Sequence, residues 1–442
     1  MRRTRACYDA VHSDDLDGLV AEKVDALRHY DVLGMDRVAA IVMWGRSGSH
    51  LLASYFDGHE DVILLPGNHG YDLYSFFYSY QSLPLLDKLL AYACLEPDYP
   101  CFFEGPFAIS RLEYYAAVQA IIKFSDGLPD DFLESRRAFF LFVHLAYHLA
   151  LGRKAAGSRP LIVYAQHWWN NTLAKRLVED FPKTKFVHTI RDPISSCDAT
   201  FHFHYERLSE LLPYTSLRSQ MNTDTPQLGM ESRTKTIRFE DLHSHLEAIM
   251  RDLADWLALD YQATLLQSTF NGIPYVVKRD GKAWSGPRLD HLQRVSRYLS
   301  VKDRALLFAV FHENFVEWDY ACPKIFRHRF VRCAVFFPLL PLPTKMEITG
   351  AKVVFRRTIL PALKQGKVGT VLASLIRIVR CRLQIIRLLL PAFVRRLIAR
   401  PTLLQAVRIA PRQDRSVAAA GRKGPKQANE AFPQLPDKKA LL

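Results

Sequence analysis

The stretch Gly45-Arg46-Ser47-Gly48-Ser49 combines residue types that bind anions. The two glycines allow a tight loop in which successive backbone N–H groups point toward a common centre. The arginine adds a permanent cation with several donors. The two serines add hydroxyl donors and are also suited to cap a following helix, whose positive dipole end would face the same anion. This chemistry predicts a loop that binds a phosphate or a sulfate group.

The end of this loop differs from the magnesium-dependent nucleotide loops. The Walker A pattern needs Lys followed by Ser or Thr, because that hydroxyl binds magnesium, whereas this loop ends in Ser49-His50. We therefore expect a cofactor-binding loop that extends to His50 and uses no metal. A plain turn between a strand and a helix is the alternative explanation of this stretch taken alone.

A second cation stands at the end of another apolar run. Arg191 follows Phe-Val-His-Thr-Ile at residues 186–190, and Asp192-Pro193 comes directly after it. Asp and Pro are typical of the N-cap and the first turn of a helix, so Arg191 is predicted to stand between a strand and a helix. Pairing of Arg191 with a neighbouring carboxylate is the alternative to ligand binding.

The elements that position these residues can be read from the hydrophobic pattern. Five short segments are predicted as strands, most of them apolar runs followed by a segment of helical periodicity: residues 38–44, 61–67, 161–165, 184–190 and 234–239. Strands that alternate with helices form parallel sheets, which bind ligands at the carboxyl ends of the strands. We predict an α/β, P-loop-like three-layer fold with a central, mostly parallel sheet.

Composition divides the chain into four predicted parts. Residues 1–36 are predicted as a helical lead-in, 37–322 as the α/β domain, 323–413 as a basic helical extension and 414–442 as a disordered tail.

Two polar stretches interrupt the predicted domain. Residues 208–233 are aperiodic and long enough for a mobile lid, and residues 268–288 are predicted as a second long loop. A helix is predicted over residues 301–317.

The positive charge of the chain lies in its last quarter. The net charge is +14, and residues 348–413 contain fourteen Lys and Arg and no Asp or Glu, so the remainder sums to zero. Segments 372–390 and 393–409 place aliphatic residues on one side and arginines on another, a pattern typical of helices on anionic membranes. Packing on the domain is the alternative. Aromatic residues for base stacking are sparse there, so we expect no nucleic acid partner.

The cysteines and the N-terminus favour a cytoplasmic protein. The seven cysteines are odd in number and form no CxxC pair, which is typical of reduced thiols. The basic start at residues 1–5 is not followed by an apolar run, so no signal peptide is expected. If residues 348–413 bind a membrane, we expect a peripheral position at its inner face.

Together these motifs resemble the sulfotransferase family that uses 3′-phosphoadenosine 5′-phosphosulfate (PAPS). Residues 45–49 are similar to the family's 5′-phosphosulfate loop, and Ile-Arg-Asp-Pro at 190–193 is similar to its 3′-phosphate-binding strand and helix. Two further stretches follow in the family's order. Ile-Arg-Phe-Glu-Asp-Leu at 237–242 is similar to its RYEDL segment, and Ser-Thr-Phe-Asn-Gly at 268–272 is similar to a loop of its bacterial members. The resemblance spans residues 37–320.

The resemblance implies transfer of a sulfuryl group, without a metal, from PAPS to a hydroxyl-bearing small molecule, glycan or lipid. The protein then has to hold the donor, neutralise the leaving phosphate and deprotonate the acceptor. By resemblance the loop amides with Ser47 and Ser49 bind the 5′-phosphate, Arg46 stabilises the leaving group, and Arg191 binds the 3′-phosphate.

The second 3′-phosphate ligand departs from the family pattern. The family usually has a Ser eight residues after the arginine, and here that position is Ala199. Ser196 and Thr200 are the two candidates to replace it. Arg288, or Lys278 with Arg279, is predicted to close over the same phosphate from the late loop.

The general base is predicted to be His167. It follows the third predicted strand, as a histidine does in the family's cytosolic members, and imidazole titrates near the working pH. The family's Lys two residues earlier is replaced by Ala165. Glu104 and His69 are the alternatives, because other branches of the family use a carboxylate.

Two other functions fit the same residues. A P-loop kinase or nucleotide hydrolase would use the first loop, against which the missing Lys-Ser/Thr pair argues. A catalytically inactive membrane scaffold would keep the fold without the chemistry, a view that Ala165 and Ala199 support.

Overall fold

The computed structural model describes nine segments of the chain, which are residues 15–43, 47–66, 73–94, 102–167, 171–204, 212–221, 231–279, 282–289 and 296–398.

A five-stranded sheet forms the centre of the fold. Its strands are β1 (Val38–Met43), β2 (Val62–Leu64), β3 (Leu161–His167), β4 (Lys185–Ile190) and β5 (Thr234–Arg238). They lie in the order β2-β3-β1-β4-β5, and every neighbouring pair is parallel. The predicted α/β fold with a parallel central sheet is confirmed. Helices cover the faces of a parallel sheet, and β1 and β2 are accordingly continuous apolar runs.

Helices connect and follow these strands. Up to β5 they are α1 (Leu16–Leu27), α2 (Ser49–Ser54), α3 (Leu73–Ser79), α4 (Leu85–Ala93), α5 (Arg111–Ser125), α6 (Asp130–Leu133), α7 (Arg136–Ala150), α8 (Asn171–Asp180), α9 (Pro193–His204) and α10 (Leu212–Met221). After β5 come α11 (Phe239–Ser244), α12 (Leu246–Leu257), α13 (Val301–Val310), α14 (His312–Glu317), α15 (Arg329–Leu339), α16 (Lys345–Val354), a π-helical turn (Phe355–Ile359), α17 (Leu360–Lys364) and α18 (Val368–Ile398).

Helix α7 is the centre of the larger apolar core. Every residue from Ala138 to Ala150 is buried, which leaves this helix without a solvent-facing side over that length. Helix α5 packs on it, α1 packs on α5, and side chains of β1 and β3 belong to the same cluster. A helix that is buried on all sides must be apolar all round, and α7 accordingly contains only two polar residues, both histidines, in the buried stretch.

The C-terminal helices pack on helices of the α/β part. Helix α18 buries Cys381, Ile385, Leu389 and Phe393, which are spaced four apart and so share one face. They belong to a second apolar cluster that includes Cys197 of α9 and side chains of α10 and α13. Packing, which was the alternative to membrane contact for this region, therefore occurs over the described part of the extension.

Three sequence predictions differ from the structure. The predicted lid at 208–233 contains α10, which packs on α9 and α18 and on which Leu217 is buried. The predicted loop at 268–288 contains two antiparallel hairpins, β6 (Thr269–Phe270) with β7 (Ile273–Pro274) and β8 (Val276–Arg279) with β9 (Lys282–Ser285). The predicted helix at 301–317 is two helices that meet at Phe311.

The basic segments 372–390 and 393–409 share one helix as far as Ile398. Pro391 removes one backbone donor, but the buried side chains of Leu389 and Phe393 lie on either side of it and keep the helix packed. The rest of the second segment lies outside the described residues. Among the helices that the structure describes, none combines the length and the apolar character needed to cross a bilayer.

Candidate active site at the carboxyl edge of the sheet

The carboxyl ends of four strands meet at one edge of the sheet. Met43 of β1 lies opposite His167 of β3, and Ile190 of β4 lies opposite Arg238 of β5. The segments that follow these strands therefore leave the sheet side by side. This edge carries the residues that the sequence predicted as a site.

The described part of the first loop is held against β4. Ser47 is buried, and its hydroxyl shares a hydrogen bond of 2.8 Å with that of Thr189 on β4. Gly48, with φ +88°, is the N-cap of α2 and gives it no side-chain cap, so the expected capping by Ser47 or Ser49 is wrong. Ser49 is buried and His50 half-buried in the first turn of α2.

The ring of Phe239 contacts both the first loop and Arg191. A Cβ atom built on Gly48 would lie 2.2 Å from Cδ2 of Phe239, so only glycine fits beneath the ring. The Cζ atom of Arg191 lies 4.4 Å from the centre of the same ring. One aromatic side chain thus bridges the two anion-binding candidates, which are 143 positions apart in the sequence.

A carboxyl group stands next to Arg191. Glu240 accepts hydrogen bonds from the Tyr320 hydroxyl (2.7 Å) and from the backbone N–H of Asp192 (3.3 Å). Burial raises the pKa of Glu240 above its ordinary value, while the Tyr320 hydrogen bond and the charge of Arg191 act in the opposite direction. Asp192 caps α9 by accepting from the N–H of Ser195 (2.7 Å), as the Asp-Pro pair predicts.

The two candidates for the second 3′-phosphate ligand lie on α9. Ser196 and Thr200 are four residues apart and so occupy the same face of the helix, and both are buried. Ala199 is buried beside Thr200. The two buried hydroxyls therefore belong to the helix that follows the strand end carrying Arg191.

Arg288 reaches the same cluster through a histidine. Its backbone N–H donates to Nδ1 of His243 (2.8 Å), and the ring of His243 lies 4.4 Å from that of Phe239 in an edge-on arrangement. The guanidinium of Arg288 stacks over Trp284 of the second hairpin, 4.9 Å from the ring centre. The segment that contains Arg288 is thus connected to the carboxyl edge of the sheet through His243.

The segment 268–272 is fixed by the carboxylate of Asp57. Asp57 is buried and accepts from Arg153, from the Thr269 hydroxyl and from the N–H groups of Asn271 and Gly272, at 2.8–3.0 Å. Burial acts to raise the pKa of Asp57, but these donors outweigh it and hold the pKa below its ordinary value. The turn that resembles a bacterial sulfotransferase loop is therefore pinned to the end of the α2 region.

Several of the predicted site residues lie outside the described residues or are described only in part. Gly45 and Arg46 fall outside the described residues, as does His69. His167 is the last residue of β3, and only its backbone is described. Glu104, the other candidate base, is exposed on a turn whose Phe107 packs on Phe270.

A comparison with protein-family models identifies the middle of the chain. The model of the sulfotransferase family matches residues 127–263, a segment that contains β3, β4, β5 and the candidate residues Arg191, Ser196 and Thr200. The resemblance to sulfotransferases is confirmed. This match and the α/β fold are consistent with sulfuryl transfer as the general activity.

Solved sulfotransferase structures resemble the chain at low identity. A sulfotransferase domain from the curacin biosynthetic pathway is 18% identical, with a TM-score of 0.39, over 65% of this chain and 99% of that domain. The sulfotransferase domain of the Synechococcus PCC 7002 olefin synthase is 17% identical, with a TM-score of 0.32, over 59% of this chain and 83% of that domain. Sulfotransferase STF9 from Mycobacterium avium is 13% identical, with a TM-score of 0.33, over 70% and 85%. No curated protein matches the sequence significantly.

Sequence reasoning missed the aromatic and histidine contacts at the carboxyl edge of the sheet. Phe239 and Glu240 lie in the segment that resembles RYEDL, so the sequence pointed to this stretch but not to its contacts with Gly48 and Asp192. Nothing in the sequence pointed to Tyr320 or His243. In the described part of the chain, no three His, Cys, Asp or Glu residues form a group that could hold a metal ion.

Proposed function

We propose that this protein transfers a sulfuryl group from PAPS to a hydroxyl group. The observation that carries the proposal is the Phe239 ring, which contacts both Gly48 of the first loop and Arg191. A nucleotide with phosphates at its 5′ and 3′ positions needs one anion-binding group for each phosphate. The first loop and Arg191 supply two such groups at the carboxyl edge of the sheet. The sulfotransferase match over residues 127–263 supports the same reaction.

In this proposal each candidate has a separate task. Backbone N–H groups of residues 45–50 bind the 5′-phosphate, and Arg46 neutralises the charge that develops on it as the sulfur–oxygen bond breaks. Arg191 binds the 3′-phosphate as a forked donor, with Ser196 or Thr200 as the second ligand. Arg288 closes over this phosphate from the side of His243.

The chemical step needs a base and no redox partner. The acceptor oxygen attacks sulfur in line with the leaving phosphate oxygen, a new sulfur–oxygen bond forms, and the old one breaks. The proton of the acceptor hydroxyl passes to His167, whose neutral imidazole acts as general base. The products are the sulfated acceptor and adenosine 3′,5′-bisphosphate.

The acceptor and the location of the protein follow from the basic extension. Large apolar side chains of α18 such as Leu372 and Ile376, which are not part of the groove described below, are exposed beside exposed arginines. We propose that residues 348–413 contact an anionic membrane surface, where each Lys or Arg contributes about 1 kcal/mol. A glycolipid, a lipid or a lipid-linked carbohydrate is then the natural acceptor, and the protein is peripheral at the inner face.

Thermal unfolding with matched nucleotides tests the donor. Adenosine 3′,5′-bisphosphate at about one hundred times its Kd adds about 2.7 kcal/mol to the free energy of unfolding. We expect the wild type to prefer this ligand over AMP, which lacks the 3′-phosphate, by at least about tenfold, and Arg191→Ala to lose that preference. Arg251→Ala, which removes an exposed arginine of α12, is the control and should keep it.

Two outcomes would replace the proposal. Stabilisation by ATP with magnesium, but not by the bisphosphate, would indicate a P-loop kinase or hydrolase. No stabilisation by either nucleotide would indicate an inactive scaffold. If the bisphosphate binds as expected, transfer of labelled sulfate from PAPS into extracts identifies the acceptor.

A further inference from the structure

An apolar groove lies between the C-terminal helices, away from the strand ends. Its volume is about 650 Å³, and it is lined by α16, the π-helical turn, α18 and Pro213 of α10. Apolar side chains such as Ile348, Phe355, Leu375 and Val379 form its walls. Ligand pockets for molecules of moderate size have volumes of about 300–1,000 Å³ and walls of this kind.

The apolar walls are unusually exposed. Phe355 and Val379 are 49% and 59% exposed, and Ile348, Leu375 and Leu383 are exposed beside them. Soluble proteins seldom leave adjoining large apolar side chains in water unless they bind something there. A π-helical turn lies at the same place, and such turns are frequent at functional sites.

The charge at the groove is positive. Lys352 and Arg356 are exposed residues of the lining. The only acid among the lining residues, Glu347, is already occupied, because it pairs with Arg382 (2.8 Å) and accepts from the N–H of Thr344 (2.7 Å). The charges of Glu347 and Arg382 cancel each other. Lys352 and Arg356 therefore give the apolar groove a net positive charge.

We propose that this groove binds the alkyl chain of an anionic, single-chain amphiphile, such as a long-chain fatty acid taken up as a monomer. The chain lies against the side chains of α16 and α18, and the anionic head lies at Lys352 and Arg356. A neutral apolar ligand would leave both cations unused, and a polar anion would leave the walls in water. Only a molecule with both parts complements the groove.

A glycine in the floor of the groove provides a clean steric test. Gly350 is a helical residue of the lining, and a Cβ atom built on it meets only Cγ of Pro213, at 3.9 Å. The position therefore accepts a Cβ atom without a clash. We expect Gly350→Phe to fill the groove, and Gly350→Ala to add one methyl group and improve helix propensity.

Fluorescence of cis-parinaric acid, measured below its aggregation concentration, reports the binding. We expect saturable enhancement with the wild type and with Gly350→Ala, and at least a tenfold weaker Kd with Gly350→Phe, while circular dichroism and thermal unfolding show all three folded. Equal Kd values for Gly350→Phe and Gly350→Ala would overturn the proposal. So would the absence of any saturable signal with the wild type.

The head-group contact has its own comparison. Lys352→Glu with Arg356→Glu should weaken binding of the acid at least tenfold but leave binding of the alcohol of the same chain within about twofold. Arg387→Glu, at an exposed arginine of α18 outside the groove lining, is the matched control and should change neither. Equal loss of acid and alcohol would overturn the assignment of the head group, as would equal loss in the control.

A vesicle experiment separates the monomer from a bilayer. If the protein binds vesicles of anionic phospholipid but shows no saturable binding of monomeric cis-parinaric acid, the exposed apolar side chains belong to a membrane surface and the groove proposal is wrong. Saturable binding without vesicles supports it. The outcome does not depend on sulfuryl transfer, because none of the lining residues belongs to the strand-end site.

Discussion

At the scale of single residues, the Phe239 ring joins three chemically distinct groups. It lies against the backbone of Gly48, the guanidinium of Arg191 and the imidazole of His243. A ring beneath a guanidinium orients it and contributes about 0.5–2 kcal/mol. The ring therefore restrains the orientation of the Arg191 guanidinium.

Replacing this ring should weaken nucleotide binding without unfolding the protein. Phe239→Leu removes the aromatic face from Arg191, and we expect about a two- to fivefold weaker Kd for adenosine 3′,5′-bisphosphate, measured by isothermal titration. Phe239→Tyr keeps the face and is the control. If the Phe239→Leu variant binds the bisphosphate as tightly as the wild type and Phe239→Tyr do, the ring has no part in orienting Arg191.

Gly48 should tolerate no side chain. Gly48→Ala combines a left-handed backbone, which costs about 1–2 kcal/mol, with a Cβ atom that overlaps the Phe239 ring. Gly105→Ala is a matched control, because Gly105 has a similar φ of +84° and nothing within 4 Å of a Cβ. Urea unfolding should show a larger loss for Gly48→Ala than for Gly105→Ala. Equal losses of unfolding free energy in the two variants would mean that the Phe239 ring moves aside without an energetic penalty.

At the scale of elements, the buried helix α7 carries two neutral histidines. Burial lowers the pKa of His144 to about 4, and burial together with the charge of Arg153 lowers the pKa of His148 to about 3. The unfolded chain takes up these protons near pH 6.5, while the folded protein does not. Stability is therefore full above pH 6.5 and is lost as the pH falls toward 4.

This titration predicts a measurable acid sensitivity. At pH 5 each histidine should cost about 2 kcal/mol relative to pH 7. The drop in unfolding free energy between these pH values should be smaller by about that amount in His144→Leu and in His148→Leu. Leu141→Val, a non-ionisable change on the same helix, should lower stability equally at both pH values. A wild-type pH dependence in both histidine variants would contradict neutral burial.

A second element-scale prediction concerns the pair that joins α16 to α18. Arg382→Met leaves the buried carboxylate of Glu347 without its cation and should cost about 3 kcal/mol in urea unfolding. Adding Glu347→Gln removes the charge while an amide oxygen can still accept from the N–H of Thr344, so the double variant should recover part of this loss. Additive losses would show that the two side chains do not interact.

At the scale of the whole molecule, charge is distributed unevenly along the chain. The excess of +14 equals the charge of residues 348–413, while the rest, including the α/β part, sums to zero. An anionic surface would therefore meet the extension and not the sheet edge.

Vesicle binding tests this asymmetry. We expect co-sedimentation with vesicles that contain phosphatidylserine, little with phosphatidylcholine alone, and a steep decrease as salt is raised. Arg377→Glu with Arg380→Glu should abolish most of the binding, whereas Arg28→Glu with Arg251→Glu, both exposed and outside the extension, should not. Equal binding to neutral vesicles would show that charge does not direct the contact.

The hydrophobic pattern was sufficient to find the five strands of the central sheet in their order along the chain. Residues 38–44 and 184–190 are predicted as strands from their apolar residues, and β1 and β4 lie within one residue of these bounds. The sequence by itself also determined that the first loop and Arg191 follow strand ends, since that depends only on local order.

Only the tertiary structure decided which groups meet. Helix α10 escaped prediction because its sequence is mostly polar and part of its burial comes from α18, which is distant in sequence, and the hairpin β8–β9 depends on pairing between its own two strands. The hydroxyl of Ser47 bonds to Thr189 instead of capping α2, and Phe239 lies over Gly48, because side-chain contacts between strand ends follow from sheet register. Hydrophobic periodicity shows which face of a helix or strand is apolar. The hydrogen-bond partner of each polar group depends on which elements pack together in the tertiary structure.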